Sequence, residues 1–273
     1  MKKILLALAF FGSLAYLYWF ITMPRTSPVY LSPVDQISEQ ETPKPIHEIY
    51  GIVKIINNRS AKIKSIYVEN MPIRMKQGNI SVKVFGELAM QKDKNFRLKV
   101  AHRLTGKEMD IGSNDKYFWF WSKRMSPPAL HYAKHEDLNK TMLRPALNPN
   151  WMIESINVSP IEVDNIEIAK FKDFWAIIQP REASTGESMT VMTLIDPIKK
   201  NVAGRYLYNH NGRMIASTEY QAYSGSIPLK ILIIWYEESI TLEWDLSQLQ
   251  INKGINPEFW VMPNIKNKID MGK

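Results

Sequence analysis

Apolar residues recur along this chain with two periods, first every three to four residues and later every two. Ile46, Ile49, Ile52, Val53 and Ile56 keep the helical period, with Pro45 where a helix start tolerates it. Gly51 weakens that helix, and Asn57-Asn58 predicts its end. From residue 79 the period changes. Ile80, Val82, Val84, Gly86 and Leu88 fall on one side, with Ser81, Lys83 and Glu87 opposite. After the polar turn 92–95, Phe96, Leu98 and Val100 alternate with Arg97 and Lys99, which makes a hairpin. The run Tyr117–Trp121 predicts a further strand and Ala129–Ala133 another. Asn148 through Ile156 reads as a short helix capped by Asn148.

Hairpins follow. Phe174, Ala176 and Ile178 face Met189, Val191, Thr193 and Ile195 across the turn 180–188. Val202–Tyr208 and Met214–Tyr220 flank Asn209-His210-Asn211-Gly212, whose Asn-Gly is a strong hairpin signal. Ile231, Ile233 and Trp235 pair with Ile240, Leu242, Trp244 and Leu246 across Glu237-Glu238. The count is about ten strands joined by short turns, so neighbours are antiparallel and so long a sheet must curl to hide its edges. The expected fold is mainly β with a few helices: a curled antiparallel sheet forming an incomplete, half-open barrel covered by helices.

The five rings Tyr117, Phe118, Trp119, Phe120 and Trp121 break the alternation of a strand with one wet face. Either both faces are packed, one in the core and one under a helix or strand, or one face lines an apolar cavity. By period two, Phe118 and Phe120 or else Tyr117, Trp119 and Trp121 would line such a cavity. The set with both tryptophans is the preferred one, and Val84 and Leu98 are candidate lining residues on neighbouring strands.

The N-terminus changes the picture. Lys2 and Lys3 precede the apolar run Ile4–Met23, which Pro24 and Arg25 close. A basic start before an apolar stretch signals export. Cutting after the small-residue spacing Ser13-Leu14-Ala15 would leave a greasy end, whereas a helix over the whole run is about 30 Å long and can span hydrocarbon. Tyr16, Tyr18 and Trp19 suit an interfacial belt. Residues 1–25 are therefore expected as a signal anchor, with a cleaved signal peptide as the alternative. Residues 26–45, with four prolines, form a spacer. Residues 46–265 form one domain, and 266–273 a polar tail.

Composition is that of a globular protein, 45% hydrophobic and 23% charged over 273 residues, with a net charge of +8. The 35 Lys and Arg are scattered rather than clustered, which argues against nucleic acid as a partner. No cysteine is present, so disulfides, thiolate metal sites and N-terminal lipidation through cysteine are excluded. His131 and His135 are about 13 Å apart on a strand and cannot bracket one metal, so no metal and no cofactor is expected. Asp110 and Asp115 bracket Gly112-Ser113-Asn114, a turn signal first. Ser184-Thr185-Gly186 matches neither a phosphate loop nor a nucleophile elbow. No positive sign of an enzyme emerges; a catalytic role would have to rest on Asp110, Asp115 and His102.

Several motifs in order carry a resemblance: DIGSND at 110–115, FWFW at 118–121, PPAL at 127–130, the segment 148–158, the hairpin at Asn211-Gly212, IPLKI at 227–231 and NPEFWVMP at 256–263. Together they resemble the LolA/LolB-like lipoprotein-carrier superfamily of the bacterial envelope, over roughly residues 46–263. The resemblance implies an incomplete barrel whose apolar interior holds acyl chains of a lipid or lipoprotein, with other envelope transport proteins as partners. Many relatives are anchored through an N-terminal cysteine; here only the Ile4–Met23 run could anchor, which favours a periplasmic domain at the inner membrane. The leading expectation is an envelope protein that binds lipid or lipoprotein acyl chains for transport or sorting. The alternative is a membrane-tethered structural or interaction module with a filled core.

Overall fold

The computed structural model describes residues 46–91, 95–141, 149–183 and 186–273. The run Ile4–Met23, the spacer 26–45, the proposed cap Asn148, and Ser184 and Thr185 lie outside the described residues, as does most of the turn 92–95.

Helix α1 (Ile46–Ala61) opens the domain. Ile49, Ile52, Val53 and Ile56 are buried on one stripe, as their spacing predicts. The helix runs past Asn57-Asn58. The Asn57 side chain is occupied elsewhere: its amide donates to the Ile161 carbonyl (2.9 Å) and its oxygen accepts from the Ile161 N–H (2.8 Å), so it does not compete for the helix backbone.

Strands then follow in two meanders. The first is β1 (Ser65–Gln77), β2 (Ile80–Gln91), β3 (Asn95–His102), β4 (Gly106–Ser113), β5 (Tyr117–Ser122) and β6 (Leu130–Lys134). A 3₁₀ turn (His135–Lys140) and the short helix α2 (Pro149–Glu154) intervene. The second is β7 (Glu167–Phe171), β8 (Phe174–Glu182), β9 (Ser188–Asp196), β10 (Asn201–Asn209), β11 (Met214–Ser224), β12 (Ile227–Trp235) and β13 (Ile240–Asp245). The two meanders join where β1 pairs with β13, with Ile73 opposite Trp244. The short β14 (Gln250–Ile251) adds to β1, and β15 (Lys268–Asp270) runs parallel to β6 at one edge. Among the described residues the result is a 15-stranded curled sheet that does not close, with β15 and β7 as its ends.

One element went unread in the sequence, and two differ from the reading. β1 is central although its pattern is broken, because a register shift between Val68 and Met71, with Asn70 at φ 54°, changes which parity faces inward. Asp110–Ser113, expected in a turn, is strand; the turn comes at Asn114, whose side-chain oxygen accepts from the N–H groups of Lys116 and Tyr117. The segment 266–273, read as a tail, supplies β15.

Cross-strand register assigns side chains to two faces. On the inner face, Val84, Leu88, Leu98, Ile111, Phe118, Ile73, Trp244, Ile231, Ile233 and Leu207 form one buried core with the α1 isoleucines, Trp151, Met152 and Ile156. The core thus lies between the sheet and the helices. On the outer face of the second meander a smaller cluster gathers Ala176, Met192, Leu194 and Tyr208.

Candidate functional site

The predicted site residues divide between the two faces. Phe118 is opposite Ala133 and Ser113, and Phe120 is opposite Ile111, which is itself opposite Leu98. Phe118, Leu98 and Val84 belong to the inner core, and the partly buried Phe120 packs against it. Tyr117, Trp119 and Trp121 alternate with them and point to the outer face. The preferred tryptophan set is therefore on the side away from the helices, and the phenylalanine pair is on theirs. Tyr117 meets Tyr132 edge-on (5.8 Å), and Lys107 lies 5.2 Å from the Trp121 ring.

Trp119 is fully buried on that outer face because a polar network and the C-terminal segment cover it. Asp110 accepts two bonds from Arg97 (3.0 and 2.9 Å), one from the Trp119 indole (3.2 Å) and a contact from Lys107 at 2.8 Å. Arg97 in turn donates to the carbonyls of Phe259 (2.7 Å) and Val261 (3.1 Å), and its guanidinium stands over the rings of Trp119 and Phe259. Asn114 donates to the Trp260 carbonyl (3.0 Å), and a 3₁₀ turn (Pro257–Trp260) capped by Asn256 shapes the strap. Burial works against ionising Asp110, but the bonds and charges of Arg97 and Lys107 outweigh it and hold the carboxyl below the usual range. DIGSND, FWFW and NPEFWVMP thus meet in one latch, which ties Asp110 to structure rather than to catalysis.

The residues set aside for catalysis do not converge. Asp110 is committed to Arg97, Asp115 is exposed in the following turn, and His102 pairs with Gly106, about 13 Å down the strand from Asp110. Among the described residues no group of three or more His, Asp or Glu could hold a metal. A groove of about 530 Å³ crosses β2, β1, β13, β12 and β11 and takes in the outer-face residues Arg74, Lys83, Phe85, Lys230 and Glu243.

His131 is buried opposite Phe120. Burial pushes its imidazole below the usual value of 6.5. The unfolded chain therefore takes up a proton that the folded chain refuses as pH falls below about 6.5, so stability held above that pH is lost towards the lowered value. His131→Leu is expected to flatten the dependence of melting temperature on pH below about 6.5. An unchanged slope would mean that other groups set it.

A charged cluster interrupts the inner face of the second meander, and the sequence reading missed it. Glu154, at the end of α2, accepts two bonds from Arg181 on β8 (2.7 and 2.8 Å) and one at 3.3 Å from Arg205 on β10. The Arg205 side chain is only 3% exposed. Ser155 and Thr218 share a hydroxyl contact beside it (3.3 Å), and the Tyr220 hydroxyl reaches the Glu154 carbonyl (3.5 Å). Burial raises the Tyr220 phenol well above its usual range, so it stays neutral. The available signal was an arginine in a strand; a register shift between Val202 and Gly204 hid which way it pointed.

No family model matches the sequence and no curated protein matches it. Solved structures do. A domain from Vibrio parahaemolyticus described as an outer membrane lipoprotein-sorting protein superposes with a TM-score of 0.50 at 12% identity, over 76% of this chain and 95% of its own. A LolA superfamily protein of Nitrosomonas europaea gives 0.51 at 9% identity, over 78% of this chain and 97% of its own. The fold is LolA-like. A DUF1329 family protein of Desulfovibrio piger matches as broadly, with a TM-score of 0.50 at 11% identity, over 78% of this chain and 97% of its own. At such identities the LolA-like likeness concerns the arrangement of sheet and helices, not the residues on them. Among the described residues no helix is long and apolar enough to cross a membrane.

Proposed function

We propose that this chain is a bacterial cell-envelope protein that holds the acyl chains of a lipid or lipoprotein against the inner face of its sheet, for transport or sorting. One observation carries the reading. An apolar face reaching from Phe118 on β5 to Leu207 on β10 is covered by helices held largely through side-chain packing. Among the described residues, the side-chain hydrogen bonds that α1 makes to the rest of the fold come from Asn57 and Arg59, in its later turns. The first half of α1 rests on Ile49, Ile52 and Val53. Such contacts are non-directional, and an acyl chain gains about 0.8 kcal/mol per buried CH₂. It can thus take over what the isoleucines give up, provided that α1 moves aside. The Ile4–Met23 run then serves as the anchor, or as the signal that directs the domain to the periplasm.

The test is uptake of an environment-sensitive fluorescent fatty acid by the full chain, with native mass spectrometry of material purified without added lipid. Phe120→Ser, on the inner face, is expected to weaken uptake at least several-fold, while Trp121→Ser on the outer face leaves it within about twofold. Absence of both bound lipid and uptake would give the filled-core module the better claim.

A further inference from the structure

Among the described residues, the groups left without partners on the inner face share one property: nearly all are donors. The Nε of Arg205 and the indole N–H groups of Trp151, Trp235 and Trp244 are buried and make no hydrogen bond. An indole N–H and a guanidinium can only donate. Ordinary cores pair such groups, so a set lacking only acceptors marks a place that an acceptor-bearing molecule would complete.

Register brings them together. Arg205 is opposite Thr218, which is opposite Ile233 on β12. The neighbouring row on one side runs Tyr220, Ile231, Trp244, and on the other Ala216, Trp235. Rows two residues apart and strands about 4.8 Å apart put Trp235 about 12 Å and Trp244 about 16 Å from Arg205, the nearer within reach of the ester carbonyls of a ligand whose headgroup meets Arg205. Trp151 comes from α2, one turn before Glu154.

Charge points the same way. Two guanidiniums share one carboxylate, and the division is unequal. Both oxygens of Glu154 lie at 2.7 and 2.8 Å from Arg181, as expected of a charge-assisted pair, whereas Arg205 is at 3.3 Å. The more deeply buried cation is therefore the less well served one. A buried cation met by one long bond is incompletely compensated until a further anion joins it.

We propose that Arg205 seats the anionic headgroup of an acyl ligand, its carboxylate or phosphate oxygens accepting from the guanidinium, with the chain running along the apolar inner face. The assignment rests on the acyl-binding reading above and names its ligand class: anionic rather than neutral lipids. The Trp151 and Trp235 donors serve the remaining oxygens, including ester carbonyls where the ligand is a diacyl lipid. Glu154 keeps Arg181, so the helix stays tied to β8 while Arg205 changes partner.

Bromine on an acyl chain quenches nearby indoles, which makes the test direct. The full chain, kept soluble in an amphipathic polymer without detergent or lipid, is titrated with 9,10-dibromostearic acid, with the corresponding alcohol, and with phosphatidic acid and diacylglycerol carrying the same chains. The expected result is at least tenfold tighter binding of an anionic ligand than of its neutral counterpart. Preference for the single-chain acid assigns the seat to a carboxylate, and preference for phosphatidic acid to a phosphate. Arg205→Met is expected to bring each ratio within about threefold while neutral ligands still bind, and Arg205→Lys to restore much of it. Equal binding of acid and alcohol by the wild type overturns the headgroup seat while leaving acyl binding intact, and needs no variant to fold. Failure to bind any of the four removes the acyl-binding reading itself. A ratio that survives Arg205→Met, with only the melting temperature changed, makes Arg205 a brace between α2 and the sheet and overturns the assignment.

Discussion

Asp110→Ala is expected to destabilise the domain by about 3–5 kcal/mol, the usual cost of removing one partner from a buried ion pair. Asp110 is fully buried and Arg97 nearly so, so removing the carboxylate leaves a buried guanidinium without its charge partner. The Arg97 carbonyl partners at Phe259 and Val261 remain, but they carry no charge. Equilibrium unfolding in urea measures the loss, and a change below about 1 kcal/mol would mean that the pair is not desolvated in solution. The pH dependence adds a second reading. The folded carboxyl titrates below its ordinary value of 3.8, so its contribution is complete above that value and disappears as pH falls through the lowered one. Asp110→Asn should remove that acid-limb dependence along with part of the stability.

Trp119→Ala is expected to cost a similar 3–5 kcal/mol, the range for truncating a buried aromatic. Its companion is Gly112, directly opposite on β4. A Cβ at Gly112 would stand 2.1 Å from the indole ring, so the tryptophan lies across the strand where any side chain would collide with it. Gly112→Ala should therefore cost about 1–3 kcal/mol in the wild type. In the Trp119→Ala background the obstacle is gone, and the same change should cost little or even help, since alanine restricts the unfolded chain. A double-mutant cycle read by urea unfolding reports this coupling. Additive costs would show that the ring can swing clear of Gly112 at no expense.

How much of this was legible in sequence varies by element. The hairpin of β10 and β11 was plain, because Asn-Gly sits between two runs of strand formers, and β12 with β13 followed from alternation alone. β4 was not, since Gly106, Lys107, Gly112 and Ser113 carry little apolar pattern; its order comes from Arg97 and Trp119 on its neighbours. The face of the aromatic run was undecidable locally. Rings on both sides are buried, one set by the core and the other by a strap more than a hundred residues away, and period two cannot name the cover. Arg205 was lost for a related reason. A single-residue slip reverses which parity of a strand points inward, and the slip near Ala203 leaves no mark that composition reveals.

The meeting of β1 with β13 has a kinetic consequence. β1 is made early and β13 near the end, so one side of β1 has no sheet partner until most of the chain exists. Closing that contact confines a long loop before any reward is collected, and pairings of this span set slow folding rates. A first meander assembled before β13 arrives would present an open lateral edge and an unshielded apolar surface, which favours association with other copies. The yield of refolding is therefore expected to fall as protein concentration rises, and to fall less when the unfolded chain is diluted further.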